Sequence, residues 1–172
     1  FVLMLNSDSF LPNLGFGTST LHRLYTKYRA CRLISYCIEK GFTHFDTARL
    51  YGDGFAESVL GNVLSKNRDC YSITTKFGIP ANPFLEKYPL LIGPHRVANK
   101  FIPSLSAASD FRQFVVTHVQ QSLENSLRSL KTGYIDYFLA HEPTINHLSD
   151  LRLLISFLES VKNKGYIRHY GF

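Results

Sequence analysis

Four residue types able to move a proton stand at or just beyond the ends of strand-like runs. The first run is Thr43-His44-Phe45-Asp46-Thr47-Ala48-Arg49-Leu50-Tyr51-Gly52, a short buried strand that ends in Asp46 and leads into a loop carrying Tyr51. Tyr71–Lys76 ends in a lysine, and Tyr134–His141 ends in a histidine. A phenol is a poor proton donor at neutral pH unless a nearby cation stabilises its phenolate. Lys76 is the candidate cation, and Asp46 the counter-ion that keeps a partly buried ammonium charged. A neutral His141 would donate a hydrogen bond to a carbonyl oxygen and orient it. Taken singly, each residue has a plainer role: Tyr51 as packing, Asp46 as a cap, Lys76 as surface, His141 as a structural histidine. Together they form an acid catalyst with no nucleophile of its own, and a hydride from a bound cofactor fills that gap.

The intervening sequence must bring these strand ends together. Leu14–Thr18 reads as a first strand entering a Gly-Thr turn. Ala30, Leu33, Ile34, Cys37 and Ile38 recur at helical spacing across residues 27–40, with Gly41 as the stop, and Ala56, Val59, Leu60, Val63 and Leu64 do the same across 55–66. A helix is expected from an Asp110 N-cap, with Phe111, Val115, Val119, Leu123, Leu127 and Leu130 inward and Gly133 closing it. Asp150 is expected to cap another, with Leu151, Leu154, Ile155, Leu158 and Val161 inward, before a fifth strand at 166–172. Residues 1–12 read as irregular or a short hairpin. Residues 79–109, with five scattered prolines, read as a long loop walling the substrate pocket.

The order β-α-β-α-β-loop-α-β-α-β implies parallel strands with right-handed crossovers. An open doubly wound sheet and a (β/α)8 barrel both accept it, and both place their sites at the carboxyl ends of the strands. Five strands are a little over half of a barrel of about 250 residues. The start at Phe1 and the stop inside a strand lead us to expect a piece of a longer protein.

Several functional classes are disfavoured. Gly15-Phe16-Gly17-Thr18 lacks the third glycine of a dinucleotide fingerprint. His141-Glu142-Pro143 lacks a second histidine at helical spacing, so no zinc site is expected. No Gly-x-Ser-x-Gly elbow or phosphate loop occurs. The net charge of +6 comes without a basic cluster, so no nucleic-acid partner is expected. No apolar run reaches the roughly 18 residues of a membrane helix. Three cysteines without metal-ligand spacing fit free thiols in a reducing cytoplasm.

The sequence resembles the aldo-keto reductase family across essentially its full length. The carrying segments are Gly15–Thr18, His44–Gly52, Glu57–Gly61, Thr75-Lys76, Ser122–Leu127 with Leu130, Tyr134–Tyr137 and His141. The resemblance implies a (β/α)8 barrel, here incomplete at about its first five strands, that binds NADP(H), or less often NAD(H), in extended form. It implies Tyr51 as proton donor, Lys76 and Asp46 as its tuning pair, and His141 as the substrate-orienting residue. Gly17 and Thr18 would lie near the nicotinamide, with Asp46 also on the cofactor ribose. The implied substrate is a small aldehyde, ketone or alcohol, with surroundings like those of sugar and aldose dehydrogenases. The family's carboxamide-binding Ser-Asn pair and most of its cofactor grip would follow residue 172, so residues 1–172 alone are expected to turn over weakly. Two other readings remain: an inactive or regulatory relative, and a Schiff-base lyase using Lys76, which Asp46 as counter-ion disfavours.

Overall fold

The computed structural model describes residues 14–101, 112–144 and 151–172. The strands are β1 (Gly15–Gly17), β2 (His44–Asp46), β3 (Ser72–Phe77), β4 (Ile135–Ala140) and β5 (Ile167–Gly171). All four pairings are parallel and the spatial order is β1-β2-β3-β4-β5. A doubly wound sheet reverses its order at a switch point. Monotonic order is that of a barrel wall, so the described sheet is an arc of one, with both of its edges open.

Helices α1 (Lys27–Glu39), α2 (Phe55–Leu64), α5 (Val116–Leu130) and α6 (Leu151–Asn163) cover one face of this arc. Register and alternation decide which side chains meet them. Phe16 pairs with Phe45, Phe45 with Ile73, and Thr75 with Phe138, so these point outward to the helices. Phe45, Ile73, Phe77 and Phe138 are fully buried there against Ile34, Leu60, Val119, Leu130 and Leu158. Burying a side chain of this size contributes roughly 1.5–3 kcal/mol. The alternate residues Asp46, Thr74, Lys76, Tyr137 and His169 face inward.

Gly61 fixes how α2 approaches α5. A Cβ there would lie 2.2 Å from the Ser129 carbonyl oxygen and 2.9 Å from Leu130 Cα, which is backbone and cannot step aside. Gly61→Ala is therefore expected to destabilise by about 1–3 kcal/mol through overpacking, despite alanine's better helix propensity. A denaturant midpoint equal to or above wild type would refute that reading.

The expected elements around these strands are present, with differences at their edges. Gly41 and Gly165 follow α1 and α6 as stops. The expected Asp110 and Asp150 caps, Phe111 and residues 1–12 lie outside the described residues. Helix α5 begins at Val116, with an exposed Val115 as N-cap, and ends on a left-handed Lys131 rather than at Gly133. In α6, Leu151 and Ile155 are exposed while Leu154, Leu158 and Val161 are buried, because only a narrow stripe faces β5 and α5.

The largest correction concerns residues 79–109, expected to be a loop. They contain α3 (Pro83–Lys87), a 3-10 turn over Pro89–Leu91 and α4 (Ile92–Phe101), with Leu85 and Ile92 buried in the core. The prolines do not break these helices. Pro83 follows the Asn82 N-cap in the first turn and Pro89 opens the 3-10 turn, positions where a missing N–H matters little.

Candidate active site

The carboxyl ends of β1 to β4 bring the expected residues to one rim. Asp46 closes β2, Lys76 is the penultimate residue of β3, His141 directly follows β4, and Gly17 and Thr18 lie at the end of β1. Thr18 docks on β2 through its backbone N–H and hydroxyl, both donating to the Asp46 carbonyl at 3.0 Å. The His141 N–H donates to the Phe77 carbonyl at 2.8 Å, extending the β3–β4 ladder by one step. Tyr51 arrives on the loop between β2 and α2. That loop turns at Gly52 (φ +61°), where a Cβ would lie 2.8 Å from His22 Cβ, so only glycine fits.

The side chains converge around Lys76. Its Nζ donates to Asp46 Oδ1 at 2.6 Å and to the Thr47 carbonyl at 3.0 Å. The same nitrogen lies 3.5 Å from the Tyr51 hydroxyl, the outer limit of a hydrogen bond, and 5.1 Å from the ring centroid. His141 meets the Tyr51 ring edge-on, with centroids 5.8 Å apart. Asp46 remains 38% exposed after pairing with Lys76, so its carboxylate is still open to a further donor. Gly17 leaves open space, with nothing within 4 Å of where a Cβ would stand. All six expected positions thus share one rim.

His141 is buried, and its Nδ1 has no hydrogen-bond partner among the described residues. Burial, reinforced by the Lys76 ammonium, pushes its pKa below the ordinary 6.5, with Glu142 and Asp46 opposing. The ring is neutral at pH 7. An enclosed Nδ1 without an acceptor favours placing the proton on Nε2.

Sequence reasoning missed the network beneath Tyr51. Arg49 is 3% exposed; its Nη1 donates to Glu57 Oε2 at 2.7 Å and to Ser129 Oγ at 3.1 Å, and its Nη2 to Glu86 Oε2 at 2.6 Å. Glu57, fully buried, also accepts from Thr75 Oγ1 at 2.7 Å. Burial alone would lower the Arg49 pKa, but the Glu57 and Glu86 carboxylates outweigh it and hold the guanidinium above its ordinary value. The available signal was a charged pair inside two otherwise apolar, buried stretches.

At the opposite end of the strands, Asp136 accepts from Arg68 Nη2 at 2.5 Å, Arg168 Nη1 at 2.8 Å and the Ile73 N–H at 2.9 Å. Both guanidinium carbons lie 4.2 Å from the Tyr134 ring centroid. That cluster ties β3, β4 and β5 together at the end away from the rim. Among the described residues, no group of three His, Cys, Asp or Glu is arranged to hold a metal, and no helix is long and apolar enough to cross a membrane. The three cysteines are unpaired, and burial raises the Cys37 thiol pKa.

Comparison with known proteins agrees with the geometry. The profile of the Aldo/keto reductase family matches residues 13–172. "Uncharacterized oxidoreductase YcsN" of Bacillus subtilis (strain 168) is 30% identical over 150 residues, covering 86% of this chain and 43% of its own. "D-threo-aldose 1-dehydrogenase" of Pseudomonas sp is 28% identical over 170 residues, covering 94% of this chain and 49% of its own. Among solved structures, the holo form of aldo-keto reductase AKR11C1 from Bacillus halodurans superposes with a TM-score of 0.70 at 26% identity, over 92% of this chain and 44% of that one. The aldo-keto reductase from Klebsiella pneumoniae in complex with NADPH gives 0.59 at 25%, over 91% and 43%. The chain spans a little under half the length of these relatives, and its open five-stranded sheet is consistent with an incomplete barrel of their type. With a matching family profile over nearly its whole length, this chain belongs to the aldo/keto reductase family.

Proposed function

We propose that this chain is the proton-handling part of an NADP(H)-dependent oxidoreductase barrel, which interconverts a small aldehyde or ketone, sugar-like compounds included, with its alcohol. The observation that carries this reading is Lys76 Nζ held 2.6 Å from Asp46 and 3.5 Å from the Tyr51 hydroxyl at the strand ends. The oxidoreductase class follows from the family. The cofactor is supported by the NADPH complex of the Klebsiella relative, and the sugar-like substrate by the aldose dehydrogenase relative.

The residues present fit a nicotinamide dinucleotide. Gly17 and Thr18 would border the nicotinamide across the open space at Gly17, and the exposed side of Asp46 would accept from a ribose hydroxyl. Bound there, the cofactor would supply the hydride that no side chain of this rim carries. Tyr51 gives its proton to the carbonyl oxygen in reduction and recovers it in oxidation. The Lys76 ammonium stabilises the phenolate that remains, and Asp46 with the Thr47 carbonyl fixes that ammonium in place. His141 donates from Nε2 to the same carbonyl oxygen and sets its approach to Tyr51. Lys76, paired this way, is poorly placed to act as a Schiff-base nucleophile.

The direct test titrates the full-length protein with NADPH by fluorescence and follows NADPH oxidation with a panel of aldehydes. Micromolar binding with turnover is expected. Absence of both would discard the reading.

His141 supplies a second test. Its pKa in the folded state lies below 6.5, so the unfolded chain takes up this proton first on acidification. The stability contribution is therefore fully present above pH 6.5 and falls as pH drops below it. In an NMR titration the His141 ring should titrate below 6.5. Lys76→Met should move that titration upward by removing the adjacent ammonium. A downward or absent movement would contradict the electrostatic assignment.

A further inference from the structure

Folding gathers on one side of α1 cations that the sequence keeps apart. Residues 23–40 carry Arg23, Lys27, Arg29, Arg32 and Lys40 against one carboxylate, Glu39, in a chain of net charge +6. Neighbouring cations are two to eight positions apart, so no basic run shows in the sequence. Within α1 the buried residues Ala30, Ile34 and Cys37 face the core. Tyr28, Arg32, Tyr36 and Lys40 follow one another at four-residue steps on the opposite side, and all are exposed. Arg32 lies over the Tyr28 ring at 6.0 Å and Lys40 over the Tyr36 ring at 5.3 Å, so cations and rings share one ridge. Among the described residues, none of the five cations is paired with a carboxylate.

Beyond the N-terminus of α1 the ridge meets apolar surface. Tyr25, 74% exposed, rests on the start of α4, its Cε1 atom 4.0 Å from a Cβ position at Gly93. Leu90, 80% exposed, stands across a cavity of about 640 Å³ from Tyr25. Unneutralised cations, rings with polar tips and a projecting leucine are what a surface lying in a headgroup layer needs. We propose that this face docks on an anionic membrane surface. Leu90 and Tyr25 enter the acyl boundary, Tyr28 and Tyr36 sit at headgroup depth, and the five cations meet the lipid anions. The contact is peripheral, since no helix among the described residues is long and apolar enough to cross. A nucleic-acid strand fits less well. Single strands are held in a basic groove lined by stacking rings, whereas α1 presents a convex ridge, and aliphatic Leu90 gives a base nothing to stack on.

The test is co-flotation of the full-length protein with vesicles of phosphatidylcholine, alone or mixed with phosphatidylserine. Binding to the mixed vesicles only is expected, and it should disappear near about 1 M salt, where exposed charges are screened. Arg29→Gln combined with Arg32→Gln should weaken that binding about 25-fold, roughly fivefold for each cation removed. Leu90→Asn should weaken it about tenfold at unchanged charge. Both variants should keep the wild-type denaturation midpoint, because all three side chains are exposed. Equal binding to the two vesicle types, or binding to neither, overturns the proposal. Capture of a single-stranded oligothymidylate without flotation, lost in the arginine variant and kept in Leu90→Asn, overturns it in favour of nucleic acid.

Discussion

Replacing Tyr51 by Phe is expected to lower kcat by about 10²–10⁴-fold, the range general acid–base groups supply, while NADPH binding is unchanged. The argument rests on what the substitution removes. The Tyr51 ring packs on the core and meets His141 edge-on, and phenylalanine keeps both contacts. The hydroxyl's one described contact is with Lys76 at 3.5 Å, and Lys76 keeps Asp46 and the Thr47 carbonyl as acceptors. The variant therefore leaves no buried charge unpaired and should unfold at the wild-type midpoint. The only loss is the proton at the point where a carbonyl oxygen would stand. Stopped-flow turnover, an NADPH titration and a denaturation curve on the same sample separate these effects. Unchanged turnover would remove Tyr51 from the chemistry. A parallel loss of cofactor affinity would assign the residue to binding.

Much of the arrangement was legible in the sequence because it is written in local patterns. Helices α1 and α2 have apolar residues at helical spacing and glycines or loops after them, and each recurs within a few residues of its expected span. The strand ends were readable because Asp46, Lys76 and His141 each interrupt an apolar run. Two architectures fitted the alternation, and only the monotonic strand order, a non-local property, separated them. The 79–109 region failed for the opposite reason. Helix α3 has only five residues, and the prolines that read as breakers in the sequence occupy first turns: Pro83 in α3 and Pro94 in α4. The helix that was to start at Asp110 begins at Val116, since the Phe114 ring beside Gly78 belongs to the approach, not to the helix.

The site divides along the same line. Tyr51 and its neighbours were found because their residue types announce proton chemistry. Arg49, Glu57 and Glu86 were not, because arginine and glutamate on a helix or loop usually mean a solvated face. Their roles come from separations of 8 and 37 residues that only the folded chain closes. Thr75, next to the lysine, likewise gave no sign that its hydroxyl would serve Glu57.

That network yields the largest expected stability effect. Glu57→Leu should destabilise the full-length protein by about 3–5 kcal/mol, the range for removing one partner of a buried ion pair. Leucine cannot accept from Arg49 or Thr75, so among the described residues a guanidinium at 3% exposure keeps only Glu86 and Ser129, and the Thr75 hydroxyl loses its acceptor. Glu86 is itself 39% exposed, and solvent screens its share of the compensation. The companion Arg49→Met leaves Glu57 as the unpaired charge and should cost a similar amount. The double variant removes both charges together and should be markedly more stable than the sum of the singles predicts. Additive losses would show that Arg49 and Glu57 contribute through packing alone. Because Arg49 stands two residues before Tyr51, each single variant should also lower kcat by more than it changes NADPH affinity, with partial recovery in the double. A double variant as slow as the singles would mean that the guanidinium itself, rather than the loop it fixes, is what Tyr51 requires.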